Sequence, residues 1–156
     1  MTKRLYEADP KEVKKLWNRL IDWLLFNLDE IKSYVREMNY LGSGIISGNG
    51  VSPESDSSLE LNVIAVGEAT EIIRSVLAAI KQLESEDFDI YIDRYQNDMI
   101  YSRIAEWEEV SEITVKRHIQ KIRDTVKDCF DKEEIEVETI IKLKDKLRYI
   151  CRKKVA

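Results

Sequence analysis

IAEWEEVSEITVKRHI, residues 104–119, has the spacing that two closely linked helices crossing at a steep angle require. Ala105 is small enough to let a second helix approach the first, and Val110 fills the turn between them. Ser111 supplies a side-chain oxygen as the N-cap of the helix that follows. Val115, Ile119, Ile122 and Val126 then recur by four, three and four, which predicts a helix over Glu112–Phe130 with one inward stripe. At 100° per residue, Ile113, Lys116, Arg117, Gln120, Asp124 and Lys127 project within about 80° of the opposite direction. That outward face is mainly basic and amide and suits a polyanion. The expectation is a helix-turn-helix over residues 98–130 whose second helix lies in the major groove of DNA.

Residues near the start of such a helix reach base edges. Ile113 can touch a thymine methyl, Lys116 or Arg117 can bond guanine O6 and N7, and Gln120 can pair with adenine. Tyr101, Arg103, Lys121, Arg123 and Lys127 are placed to contact phosphates, which adds affinity without reading sequence. Ser111 and Thr114, at the helix start, can also donate to phosphate.

Outward from this unit the chain reads as all-α: long N-terminal helices, the helix-turn-helix, and an extra terminal helix. Asp9 and Pro10 are an N-cap and first helical position, and Val13, Leu16, Trp17, Leu20, Leu24, Leu28, Ile31 and Val35 recur at threes and fours. One amphipathic helix is expected to run to about Met38, within residues 1–41. Residues 42–58 hold four of the five glycines and six serines, a flexible linker or large exposed loop. A second long helix capped by Ser58 is expected within 59–85, with Gly67 marking close helix packing. Short helices are expected over Glu86–Tyr95 and Asp98–Trp107. In 131–156 a last helix, Lys132–Lys153, carries Val137, Ile140, Leu143 or Lys144, Leu147, Ile150 and Cys151 at near-heptad spacing, as a packing stripe or an oligomer seam.

Composition narrows the function classes. The net charge is −5 over 156 residues, yet residues 111–156 hold 13 Lys or Arg against 9 Asp or Glu. Basic charge is therefore local, which argues against indiscriminate coating of nucleic acid. The apolar run Leu20–Leu28 is interrupted by Asp22 and Asn27 and is too short for a membrane span, and no export signal stands out. Cys129 and Cys151 lack ligand spacing and His118 is the only histidine, so no metal, cofactor or disulfide framework is expected, and a reducing cytoplasm is the natural setting. Without Ser/His, Cys/His or Gly-rich phosphate motifs an enzyme is not expected. The carboxylates Glu106, Glu108 and Glu109 are scattered by helical spacing, and His118 reads as a satisfied structural residue. Trp17 reads as core; Trp23 and Phe26 widen the apolar face of the first helix, which suits several packing partners or another subunit.

Ile104, Ala105, Val110, Ser111, Thr114, Val115, Lys116, His118 and Ile119 resemble the helix-turn-helix of sigma-factor region 4 and LuxR-type domains. With the upstream DRYQNDMIYSRIAE, the long N-terminal helix and the Gly/Ser-rich interruption, residues 1–130 resemble the RinA and ArpU families of phage late-gene transcriptional regulators. The resemblance implies a sequence-specific DNA-binding activator of structural or packaging genes, with residues 86–130 on double-stranded DNA, RNA polymerase as a partner, and homo-oligomerisation through the other helices. Glu109 departs from the pattern, standing where a glycine usually takes a left-handed conformation, and the helix after Lys132 extends past the usual end of RinA-like chains. A phage terminase small subunit recognising a packaging site, and a helical adaptor that binds only protein, are the alternatives that the same layout allows.

Overall fold

α1 (Pro10–Phe26) begins as the sequence dictates: the Asp9 carboxylate accepts the Lys11 amide at 3.0 Å, and Pro10 opens the helix. The computed structural model describes residues 9–47 and 53–148, and the side chains of 9–39 and 67–148. Within them the chain is all-α, with seven α-helices and no strand. No helix among the described residues is long and apolar enough to cross a membrane.

The single helix expected to Met38 is two, α1 and α2 (Leu28–Ser47), separated at Asn27. The buried Asn27 amide donates to the Trp23 carbonyl at 2.9 Å, the same carbonyl that receives the Asn27 backbone N–H at 3.1 Å. A short polar side chain that competes for backbone groups ends a helix where apolar periodicity alone would continue it. α2 runs through Gly42 and Gly44 to Ser47, and α3 (Pro53–Gln82) starts before Ser58. The stretch expected as a linker is thus helical on both sides; residues 48–52 lie outside the described residues. Gly67 does not mark a close approach, because a Cβ there would meet nothing within 4 Å.

α4 (Ser85–Tyr91) continues as one π-helical turn, Ile92–Gln96, closed by the Asn97 N–H on the Ile92 carbonyl at 3.0 Å. α5 (Tyr101–Glu108), α6 (Glu112–Lys132) and α7 (Val137–Leu147) follow. α7 begins at Val137 rather than Lys132, because the chain turns through Glu133 and Glu134, the latter at φ 56°. Residues 149–156, with Ile150 and Cys151 of the expected stripe, lie outside the described residues.

α6 is the central helix, packed against α1, α3, α4 and α5. Its Val115, Ile119, Ile122 and Val126 are buried, joined by Cys129 and Phe130. α7 contacts α1 and α3 and buries Ile140, Leu143 and Leu147, so its stripe is core packing. The wide apolar face of α1 is covered within the chain: Trp17, Trp23 and Phe26 are all buried. Trp17 meets Phe130 at 6.0 Å between ring centroids, and Phe26 meets Tyr95 edge-on at 4.9 Å.

Candidate nucleic-acid interface

The connection between α5 and α6 is built from backbone geometry. Glu109 adopts the left-handed conformation, φ 59° and ψ 43°. The Val110 N–H returns to the Ala105 carbonyl at 2.9 Å and the Glu109 N–H to the Glu106 carbonyl at 3.4 Å, the two bonds of a Schellman ending. Ser111 then caps α6, its Oγ accepting the Thr114 N–H at 3.2 Å while the two hydroxyls share a 2.9 Å hydrogen bond. Glu109 thus takes the left-handed conformation that glycine adopts at less cost. Glu109→Gly is expected to raise stability by about 1 kcal/mol, measured by denaturant unfolding, because the Cβ penalty disappears. An unchanged midpoint would mean that the turn holds no such strain.

The outward face of α6 divides along its length. In its first half Ile113, Lys116, Arg117 and Lys121 are exposed, and none of the three cations makes an ion pair among the described residues. In its second half Asp124, Asp128 and Asp131 are exposed, with Lys132 at the helix end the one exposed cation. The other residues expected on this face are engaged within the chain. The Gln120 amide bonds Asn18 Oδ1 at 3.2 Å and Asp124 at 2.9 Å. Lys127 pairs with Asp131 at 3.0 Å and lies over the Trp17 ring at 5.1 Å.

Arg123 is drawn furthest inward. Its Nε donates to Asp22 Oδ1 at 2.9 Å and its terminal nitrogen to Asp22 Oδ2 at 2.5 Å, a two-point pairing with a buried carboxylate. Burial works against the guanidinium charge, but the hydrogen bonds and charge of Asp22 outweigh it and hold its pKa above the ordinary value. The Tyr95 hydroxyl donates to the same Asp22 Oδ1 at 2.6 Å; burial first, then Asp22, raises its pKa well above the usual tyrosine range. Arg123, expected at phosphate, and Gln120, expected at a base edge, are thus both engaged with α1, and moving either to DNA would break part-buried hydrogen bonds. Lys127 is likewise held by Asp131 and Trp17.

The remaining expected contacts spread around the unit. Tyr101 is half-buried beneath Arg94, whose guanidinium carbon stands 4.5 Å from its ring centroid and 5.2 Å from that of Phe26. Arg103 is exposed and lines a groove with Ile100 and Trp107. His118 is structural, its Nδ1 2.5 Å from Asp87 Oδ1, which ties α6 to α4. On α6 the exposed part of the expected surface is thus Ile113, Lys116, Arg117 and Lys121, with its capped start, and Arg103 of α5 is exposed as well. Asp22, Asn18 and Tyr95 were not singled out for any role in the site. Asp22 had a visible signal, since a carboxylate inside an apolar run must find a partner when buried. Comparison of the chain with protein-family models, with curated proteins and with solved structures finds no match.

Proposed function

We propose that this chain is a sequence-specific DNA-binding protein that regulates transcription, as a phage or prophage activator of late genes working in the cytoplasm of a bacterial cell. The observation that carries the reading is the run Lys116, Arg117 and Lys121: three exposed cations without internal ion pairs on the first half of a helix whose opposite face is buried. A rigidly seated helix start that offers cations and an apolar Ile113 is chemically suited to a major groove. The cations would meet phosphates and guanine edges, and Ile113 a thymine methyl. The acidic second half of α6 would stay off the duplex, so contact is confined to the first turns.

On this reading Arg117→Ala weakens binding to a specific site by about 1–3 kcal/mol, while Lys127→Ala leaves DNA binding unchanged because its charge is already paired. Gel-shift titration of both variants against one selected duplex and one random duplex checks this. A larger loss from Lys127→Ala than from Arg117→Ala would put the contact on the wrong half of α6. RNA polymerase is the partner that the activator reading requires.

A further inference from the structure

Large apolar side chains left in solvent are concentrated in one place. Of the five among the described residues, four lie between residues 100 and 113: Ile100 at 61%, Trp107 at 73%, Val110 at 38% and Ile113 at 64% exposed. Ile113 belongs to the helix proposed to meet DNA, whereas the other three lie on α5 and the turns at its ends. α5 buries Ile104 and Ala105 against the rest of the chain, so at 100° per residue Arg103, Glu106 and Trp107 share its outward side. All three are exposed. A groove of about 760 Å³, with Met99, Ile100, Arg103 and Trp107 in its walls, runs alongside. A projecting indole next to an open groove is a surface that monomeric proteins seldom leave bare.

The charges on this face identify what covers it. Arg103 and Glu106 stand about one turn apart, and neither makes an ion pair among the described residues. Nor does Arg103 lie over the Trp107 ring of its own helix. A second copy of α5 laid antiparallel to the first supplies what each group lacks. Across an antiparallel seam, residues whose numbers have the same sum face one another. With the midpoint near residue 105, Arg103 meets Glu106 and Trp107 of the other copy, and Ile100 meets Val110. A parallel seam would instead set Arg103 against Arg103 and Glu106 against Glu106, which repel. The antiparallel arrangement is the self-complementary one, in which every contact is made twice about a twofold axis.

We propose that two copies of this chain associate through the outward face of α5, packed antiparallel about a twofold axis. Arg103 pairs with Glu106 and stacks on Trp107 across the seam, and Trp107 is seated in the groove of the other copy. With its charge taken up there, Arg103 serves the seam and not a phosphate. One short helix from each copy makes a small interface, so pairing is reversible at micromolar concentration. The inference stands apart from the DNA-binding reading, since the cations of that reading lie on α6 and take no part in the seam.

Sedimentation equilibrium of the full chain without DNA, over about 5 to 500 µM, is expected to show the mass rising from 18.3 kDa toward twice that value. Acrylamide quenching of tryptophan should fall over the same range, because Trp107 is exposed while Trp17 and Trp23 are buried at 8% and 4% exposure. Arg103→Glu and Glu106→Arg each create two like-charge contacts per pair and should weaken association about tenfold. Combined in one chain they exchange the charges, and association should return to within about threefold of wild type. Trp107→Ala should weaken it about a hundredfold. These side chains are exposed, so the unfolding midpoints should stay where they are. A chain that remains at 18.3 kDa throughout would overturn the proposal. So would a charge-exchanged chain no more associated than the single variants, or pairing in Trp107→Ala as strong as in wild type, either of which would place the seam elsewhere.

Discussion

Asp22→Ala is expected to lower stability by about 3–5 kcal/mol. The carboxylate receives three hydrogen bonds, two from Arg123 and one from the Tyr95 hydroxyl, and both partners come from elements distant in sequence. Removing it leaves a largely buried guanidinium without its counter-charge and a buried hydroxyl without its acceptor. Truncating one partner of such a pair costs far more than the pair contributes net, because the other charge stays out of water. Arg123→Leu should be milder, since Asp22 can be protonated or rehydrated more readily than a guanidinium can lose its charge. Urea unfolding of the three proteins checks both statements. A loss under about 1 kcal/mol for Asp22→Ala would mean that α1 and α6 are held by apolar contact alone.

Ile119→Ala is expected to cost about 3 kcal/mol, and Ile119→Val about 1, because Ile119 is fully buried on the central helix and the space it vacates is closed only in part. Arg117→Ala, two residues away on the opposite side of the same helix, should change stability by no more than about 0.5 kcal/mol. The contrast separates the two duties of α6. Its inward stripe carries the fold, and its exposed first turns carry no structural load and are available for contact. Comparable losses from Ile119→Ala and Arg117→Ala, read from denaturant midpoints, would contradict that division.

Much of this fold is legible in the sequence because its elements are amphipathic helices with explicit start signals. Asp9–Pro10 and Ser111 begin helices where capping chemistry requires, and the stripe Val115, Ile119, Ile122 and Val126 is buried along its whole length. What periodicity could not show was competition between polar side chains and the backbone, or pairing across the chain. Asn27 divides a helix whose apolar pattern is continuous on both sides, and its side-chain amide shares the Trp23 carbonyl with its own backbone N–H. Gly42 and Gly44 lie within α2, where glycine composition alone argued for a loop; a helix tolerates glycine at about 1 kcal/mol each when other contacts support it.

The candidate site was legible in part for the same reason. Angular position on a helix identifies which side chains leave the core, and Ile113, Lys116, Arg117 and Lys121 do so. It cannot tell whether an outward side chain meets solvent or another element of the same chain. Gln120 and Arg123 point away from the stripe but meet Asn18 and Asp22 of α1, more than one hundred residues earlier. Trp107 shows the converse: an aromatic residue in a helix is usually core, yet here it remains outside, 73% exposed.

Salt dependence is the decisive test of the proposed DNA contact of Lys116, Arg117 and Lys121 on the first turns of α6. Each phosphate neutralised releases condensed counterions, so the logarithm of the binding constant for duplex DNA should fall against the logarithm of salt concentration, with a slope of about −1 if Lys121 alone meets a phosphate and about −3 if all three cations do. In the triple variant Lys116→Ala, Arg117→Ala, Lys121→Ala the slope should fall to near zero while the unfolding midpoint stays where it was. A wild-type affinity indifferent to salt, or a slope that the triple variant leaves unchanged, would contradict the account.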